Sequence, residues 1–463
     1  MKPEQCNYNI QKQKQCKNNA PKQCYSFCGI SGLDKHIPRI ELSYTNYFIV
    51  VYGLCLIPAL AVALFALRDR WAEEKQPRGC RKLGLRGQSN LADEWDAVYS
   101  EGTESSESDA TWKVKGLWIY PVKSCRGVEL NRGTVVSTGI EHDRQFCFAQ
   151  LRSPFPVSAS TPKAEKEAHQ WKFITQRQFP LLARVKTEVW VPDPSSPTYS
   201  AKEPFVQSGG ALVMTYPFEE DGWRGALPRL IAALGGSESR RSVTVPLQPS
   251  AEQIQAKGYT MEEMAIWKDS PLALNMGASL PPELAYSVGV RNPLTLFRVV
   301  PEHERKVFRC APREESLGYQ AITGFADSYP LHLLNLASVQ DAGARLQEGA
   351  PKLSALQFSA NIIVTGPQKY AEDSWKRIRI GEYVYHVACR TTRCMLPNTN
   401  QITGVKHQAE PYKTLREFRC IDDGAAGLAC MGMQMVPAVQ KSKIKVGDVI
   451  EVLESGEHYY LKQ

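Results

Sequence analysis

The sequence lacks the short motifs that mark several large classes of enzyme. It contains no G-x-x-x-x-G-K-[ST] phosphate loop, no H-E-x-x-H zinc motif and no G-x-S-x-G nucleophile turn. Only 8 histidines occur in 463 residues, which argues against a histidine-rich zinc site. No run of lysine and arginine is interleaved with aromatic residues, so a nucleic-acid interface is disfavoured. Pyridoxal and dinucleotide chemistry have no visible anchor either.

Cysteine is present but scattered. The chain has 13 cysteines, an odd number, and a large chain with dispersed cysteines indicates a reducing compartment. Hydrophobic residues make up 43% and charged residues 22%, as in ordinary globular proteins, and the length allows two or three domains. The net charge of +8 suits an acidic partner, an anionic cofactor or an anionic membrane surface.

One long uncharged run lies near the N-terminus. Residues 47–67 contain 21 residues without a charge, which is long enough to span a bilayer as a helix, with a buried core helix as the alternative. Basic residues follow the run, so the positive-inside rule places the C-terminal body in the cytosol. We expect 1–46 to be a disordered segment, 47–67 a single transmembrane anchor and 68–111 a flexible linker.

The rest of the chain indicates a mixed, β-rich α+β fold. Residues 112–190 contain short β-prone runs separated by turns, which predicts a small sheet or barrel. Residues 191–290 mix loop and helical patterns, and we interpret them as an insertion that contributes nothing directly to the site. Residues 291–463 contain a predicted helix with Ser338 as its N-cap. Two predicted hairpins, one turning at Gly381 and one at the C-terminus, flank a loop that would carry the site.

That loop, "ACRTTRCMLPNTNQITG", holds Cys389 and Cys394. A disulfide, a metal site, a nucleophile and a buried thiol are all possible at first sight. The C-x4-C spacing is not that of a zinc ribbon, and a disulfide is disfavoured in a body that faces the cytosol. Arg390 and Arg393 would favour the thiolate form of Cys394, the form that binds soft metals. Local features alone still favour an ordinary buried cysteine.

Several short segments nevertheless occur in a familiar order. The segment "TTRCMLPNTNQITG" resembles the cysteine loop of MOSC domains, in which one thiolate binds molybdenum. The segments "LWIYPVKSC" and "GIEHDRQF" resemble the MOSC N-terminal β-barrel domain, and "FADSYPLHLLNLASVQDAGARL", "NIIVTG" and "IKVGDVI" resemble parts of the MOSC domain itself. With an anchor ahead of both domains, the chain resembles the mitochondrial amidoxime reducing component family of molybdenum cofactor proteins. The domains implied are 112–190, MOSC N-terminal, and 291–463, MOSC.

The resemblance implies a set of site residues. Cys394 matches the molybdenum ligand, and Asp327 matches an acid at the entrance of the site, a candidate for proton delivery. The residues that match cofactor contacts come from both domains: Lys123, Ser124, Arg144, Ser328, Asn361, Thr392 and Arg393. Arginine and lysine suit the phosphate of the pterin cofactor, and Asn, Ser and Thr suit its amide-like edge.

The same residues also have ordinary structural interpretations. Lys123 and Arg144 are compatible with solvated strand ends, Asn361 with a turn, and Asp327 with the start of a helix. The sequence departs from the family pattern in two places. Ser359 stands where the motif has arginine, and the segment "CRTTRC" is two residues longer than expected, which moves Cys389 out of its usual register. We therefore expect Cys394, and not Cys389, to be the ligand.

The implied activity is reduction of N-hydroxylated substrates such as amidoximes, with release of water. No C-x4-C-x2-C set follows the last hairpin, so we expect electrons to arrive from a separate b-type cytochrome and its NADH-dependent reductase. The expected location is the mitochondrial outer membrane, with the body facing the cytosol. A sulfur transferase related to molybdenum cofactor sulfurases and a non-catalytic cofactor carrier are the alternatives. A membrane-tethered scaffold, whose cysteines belong only to the core, is a further one.

Overall fold

A computed structural model describes residues 76–103, 112–219 except 155, 157 and 167, residue 222, and residues 238–461. It also describes a few helical residues between 48 and 60. The predicted segment 1–46 and most of the predicted anchor 47–67 lie outside the described residues. No described helix is both long enough and apolar enough to cross a membrane. Residues 76–463 form one compact unit.

Strands dominate the described part of this unit. In chain order they are β1 (Cys80–Lys82), β2 (Lys113–Ile119), β3 (Val128–Leu130), β4 (Arg132–Val136), β5 (Gly139–Ile140), β6 (Phe146–Arg152), β7 (Gln170–Phe173), β8 (Lys186–Pro192), β9 (Ala211–Pro217), β10 (Arg240–Pro246), β11 (Thr260–Ala265), β12 (Leu272–Asn275), β13 (Leu294–Arg298), β14 (Arg305–Lys306), β15 (Ile322–Thr323), β16 (Leu331–Asn335), β17 (Ile362–Thr365), β18 (Trp375–Ile380), β19 (Tyr383–Thr392), β20 (Cys430–Pro437), β21 (Lys441–Lys445) and β22 (Ile450–Ser455).

The α-helices described are short. They are α1 (Lys163–Lys166), α2 (Pro204–Gln207), α3 (Ala251–Lys257), α4 (Pro282–Ser287), α5 (Glu314–Leu317), α6 (Leu336–Ala344) and α7 (Tyr412–Phe418). Single 3₁₀ turns lie at Ala97–Tyr99, Pro180–Arg184, Gly277–Ser279, Pro301–His303, Ala355–Phe358, Ala371–Ser374, Leu396–Asn398 and Asp423–Ala425. The predicted β-rich α+β class is therefore confirmed.

Two large sheets organise the unit. Five strands close a barrel in the order β11-β12-β13-β6-β7, and eight strands form a sheet in the order β22-β18-β19-β20-β16-β17-β2-β3. Smaller sheets have the orders β1-β8-β9-β10, β21-β4-β5 and β14-β15. Pairing is antiparallel except for β7 with β11 and β16 with β17. A closed barrel is present, as predicted, but its strands lie between Phe146 and Arg298 and not within residues 112–190 alone.

The strands of the two predicted domains are interleaved. From the N-terminal region, β2 pairs with β17 and adds β3 to the edge of the eight-stranded sheet. In the barrel, β13 from the C-terminal region pairs with β6, and β11 and β12 come from the predicted insertion 191–290. The insertion therefore supplies strands to the barrel. Part of the predicted linker is also folded, since β1 pairs with β8 and Leu91 is buried.

Two local predictions were wrong. The C-terminal pattern predicts a hairpin, but β21 pairs with β4 and β22 pairs with β18. The turn between these two strands is hydrogen-bonded to the N-terminal region of the unit. The Val446 amide donates to the Asn131 carbonyl, and the Gly447 amide donates to the Val114 carbonyl. Helix α6 begins earlier than predicted: Asn335 is its N-cap and accepts from the amide of Ala337. Ser338 is buried within the helix and donates to Glu372 at 2.8 Å.

Candidate active site

A cavity of about 1010 Å³ opens where the barrel meets the eight-stranded sheet. Seven of the nine predicted site residues line it: Arg144, Asp327, Ser328, Asn361, Thr392, Arg393 and Cys394. Lys123 reaches it through Asp327, whereas Ser124 does not line it. Ser124 instead occupies a turn at φ 65°, where its carbonyl accepts from Gln176 at 2.8 Å. The cavity therefore brings together residues from both halves of the chain.

Cys394 lies just beyond the end of β19, half-buried in the cavity wall. The strand is held in register by β20, where Thr392 faces Cys430 and the Arg393 amide donates to the Ala429 carbonyl at 2.8 Å. Cys389 lies earlier on β19, fully buried in a separate apolar cluster and outside the cavity lining. This placement favours Cys394 as the site thiol.

Arg393 is held rigidly beside Cys394. Its Nε donates to the Met431 carbonyl at 2.8 Å, and its guanidinium stacks over the Phe358 ring at 5.0 Å. Its Nη2 lies 2.6 Å from Nε2 of His332. Burial lowers the pKa of Arg393 to about 10, so the side chain stays charged at neutral pH.

His332 was missed by the sequence analysis. Burial, and then the neighbouring Arg393, hold the pKa of His332 well below its usual range, so the ring is neutral at pH 7. Since arginine only donates, Nε2 is the acceptor and the ring proton lies on Nδ1. Gly432 allows this approach, because a Cβ there would lie 2.6 Å from Nε2. A lone histidine in the apolar run "PLHLLN" carries no signal that distinguishes it from a core residue.

Arg144 is fixed from the N-terminal side of the site. Its backbone lies at φ 46°, held by a hydrogen bond from its amide to the Tyr120 carbonyl at 2.8 Å. The guanidinium donates to Asn361 at 3.0 Å and to the Ser359 carbonyl at 2.7 Å, and it pairs with Asp143 at 2.6 Å. Burial lowers the pKa of Arg144, but the neighbouring Asp143 carboxylate raises it by more, so the pKa of Arg144 lies above its usual value. Ser359 thus contributes its carbonyl to this network.

Lys123 and Asp327 form an ion pair across the site. The Lys123 side chain is only 6% exposed, whereas the Asp327 carboxylate is 57% exposed and faces the cavity. Burial raises the pKa of Asp327, but Lys123, with Arg177 and Arg144 behind it, outweighs burial and holds that pKa below its ordinary value. Asp327 is therefore a carboxylate at neutral pH and holds Lys123 in place.

The cavity is strongly cationic. Eight arginines and lysines line it against three acids. Arg177, another residue missed from the sequence, stacks over Trp267 at 4.5 Å, and its Nε donates to Thr175 at 3.3 Å. Within the described part of the chain its terminal nitrogens make no hydrogen bond, so they are available to an anion. Trp267 and its neighbours to Pro271 belong to the predicted insertion, which therefore lines the cavity.

The comparisons with known proteins agree with this geometry. Residues 111–202 match the MOSC N-terminal beta barrel domain and residues 321–451 match the MOSC domain. The chain is 32% identical to mitochondrial amidoxime-reducing component 1 of Homo sapiens over 349 residues, which cover 73% of this chain and 82% of the human protein. It is 31% identical to mitochondrial amidoxime reducing component 2 of Bos taurus over 311 residues, 67% of this chain and 73% of that protein.

A second group of relatives is more distant. Molybdenum cofactor sulfurase of Oryza sativa subsp. japonica is 21% identical over 314 residues, which cover 66% of this chain. The match covers only 31% of the sulfurase, so the chain spans about a third of that relative. The predicted family is thus confirmed: the chain belongs to the mitochondrial amidoxime-reducing component family, a family of molybdenum cofactor-binding MOSC proteins.

Proposed function

We propose that the chain is a molybdenum-cofactor-dependent reductase of N-hydroxylated compounds such as amidoximes and hydroxylamines. The observation that supports it best is one cavity that combines a half-buried thiol, Cys394, with fixed cations from both domains. The family relationship supports the same activity, since two relatives carry amidoxime reduction in their names.

The residues present fit the cofactor. Among the described residues no cluster of three or more His, Cys, Asp or Glu side chains is suited to a metal ion, so a metal at Cys394 must bring its other ligands with it. The molybdenum cofactor does so through its dithiolene. Its phosphate is matched by the cationic lining, and the volume of about 1010 Å³ leaves room for a substrate beside it.

Each residue then has a physical role. The Cys394 thiolate is the single protein ligand to molybdenum. Arg144 and Arg393, each fixed by several hydrogen bonds, present charge to the anionic and polar edges of the cofactor at little entropic cost. Ser328 and Thr392 supply hydroxyls, and Asn361 orients Arg144. When bound, the cofactor supplies two-electron oxygen-atom chemistry, which reduces an N–OH group to N–H with two electrons and two protons and releases water.

Asp327 was the candidate for proton delivery. A carboxylate held by Lys123, with its pKa lowered, is a poor proton donor near neutral pH. We therefore assign it to the positioning of Lys123 rather than to proton transfer. Solvent in the open cavity then supplies the protons of the reaction.

The remaining parts of the proposal concern the partners and the location. We place the protein in the mitochondrial outer membrane, anchored through residues 47–67, with the body in the cytosol. Electrons come from a b-type cytochrome and its NADH-dependent reductase. The basic net charge of +8 suits an acidic electron donor.

The test uses the purified full chain. Molybdenum content is measured by elemental mass spectrometry, and turnover is measured with benzamidoxime and a chemically reduced electron donor. We expect near-stoichiometric molybdenum and formation of benzamidine. Bound molybdenum without turnover would indicate a cofactor carrier, and sulfur transfer to another molybdoenzyme would indicate the sulfurase-like alternative. A folded protein from cofactor-producing cells that holds neither metal nor pterin would refute the site.

A further inference from the structure

Behind the cavity wall lies a pair of thiols that the proposed reaction does not use. Cys389 on β19 is fully buried in an apolar cluster with Val307, Tyr329 and Val436, and Cys310 packs against this cluster from the loop after β14. Cys310 is half-buried, so it is the member of the pair that solvent reaches. The two cysteines are 79 positions apart in sequence and are brought together only by the fold.

The surroundings favour the thiolate at Cys310. Cys310 packs against the same cluster that contains the Cys389 thiol. The backbone amide of Leu461 donates to the Cys310 sulfur, at 3.3 Å. Mainly because of the neighbouring Cys389 thiol, the pKa of Cys310 is lowered below its usual range, and Cys310 in turn raises the pKa of Cys389. A half-buried thiolate that solvent reaches, beside a fully buried thiol, is the arrangement of an attacking and a resolving cysteine.

We propose that Cys310 and Cys389 form a peroxide-sensitive dithiol site, which closes reversibly to a disulfide. The oxidant is a hydroperoxide. The Cys310 thiolate attacks the peroxide, the O–O bond breaks, and sulfur loses two electrons to give a sulfenic acid and an alcohol or water. The Cys389 sulfur then attacks the Cys310 sulfur, the S–O bond breaks, and the disulfide forms with release of water. A dithiol reductant returns both thiols.

This site is adjacent to the cavity without being part of its lining. Arg309 and Arg390, the residues next to Cys310 and Cys389, both line the cavity, as do Tyr329 and Tyr460 from the surrounding cluster. A disulfide would therefore join the loop after β14 to the strand that leads to Cys394. The proposal does not depend on the reductase activity.

The experiment maps disulfides in the reduced full-length protein after brief treatment with hydrogen peroxide. Free thiols are alkylated, the protein is digested, and peptides are identified by mass spectrometry. We expect a peptide that joins Cys310 to Cys389 and that disappears on treatment with dithiothreitol. Cys310→Ser and Cys389→Ser should abolish it, whereas Cys420→Ser, which removes an exposed cysteine, should keep it.

A second measurement tests the influence of the Cys389 thiol on Cys310. Alkylation of Cys310 by iodoacetamide at neutral pH should slow about threefold or more in Cys389→Ala, since the thiolate fraction falls. Cys389→Ser keeps a donor and should retain most of the rate. Oxidation of Cys310 to sulfinic acid with Cys389 still reduced would overturn the proposal. A bridge from Cys310 to another cysteine would overturn it as well, and both outcomes can be read from the wild-type protein alone.

Discussion

The ion pair between Lys123 and Asp327 gives a prediction about both stability and cofactor binding. In Asp327→Asn the Lys123 ammonium, only 6% exposed, loses its partner. Breaking a fully buried pair costs about 3–5 kcal/mol. The Asp327 carboxylate is 57% exposed to the cavity, so solvent screens the pair and we expect a loss of about 1–3 kcal/mol. Cofactor occupancy should also fall, because Lys123 is no longer held.

The assay is equilibrium urea unfolding of the cofactor-free protein in a double-mutant cycle. Lys123→Met and Asp327→Asn are measured singly and together, and a coupling of about 1–2 kcal/mol is expected at pH 7. The pKa of Asp327 is lowered by folding, so its contribution is complete above the unfolded value of about 3.9 and declines as pH falls towards the folded pKa. Additive single effects at pH 7 would refute the view that this pair stabilises the site.

Three further predictions concern the thiol, the cations and the N-terminal segment. Cys394→Ser should abolish amidoxime reduction and lower the molybdenum content, while circular dichroism shows an intact fold. The control variant Cys420→Ser should match the wild type. An active Cys394→Ser enzyme would contradict the assignment of Cys394 as the ligand. Arg144→Ala and Arg393→Ala should each weaken cofactor binding by roughly 10- to 150-fold, which corresponds to about 1.5–3 kcal/mol. The measurement is the molybdenum content of the purified protein. Normal molybdenum content in both variants would show that neither arginine binds the cofactor. Deletion of residues 1–75, which retains β1, should release an active protein from the membrane fraction, and a folded product that stays with the membrane would show a second anchor.

The local part of the fold could be read from the sequence. The Gly381 turn and its two strands are local, and the structure pairs Ile380 with Tyr383 across it. The C-terminal pattern looks the same, yet β21 and β22 belong to different sheets. Which distant edge a strand joins depends on tertiary pairing, and a period-2 pattern carries no information about it.

The candidate site likewise contains some residues that the sequence predicted and others that it did not. Cys394 and Arg393 were found because the short segment that holds them resembles the cysteine loop of MOSC domains, whereas its local chemistry alone favoured an ordinary buried cysteine. His332 and Arg177 were missed because each owes its place to a contact with a residue far away in sequence, Arg393 and Trp267. The role of Asp327 also changed, since its ion pair with Lys123 depends on two segments that the fold brings together.

The interleaving of strands has a consequence for how the protein is made. Leu117 on β2 pairs with Ile362 on β17, about 245 residues later in the chain, so this contact must close a very long loop. During synthesis β2 emerges long before β17, so the backbone groups of β2 that pair with β17 stay unpaired until then. The cavity, which draws on residues from Arg144 to Tyr460, exists only once nearly the whole chain has been released. Cofactor insertion is thus a late event in maturation, and a truncation near the C-terminus would leave the earlier strands without the sheet they are meant to join.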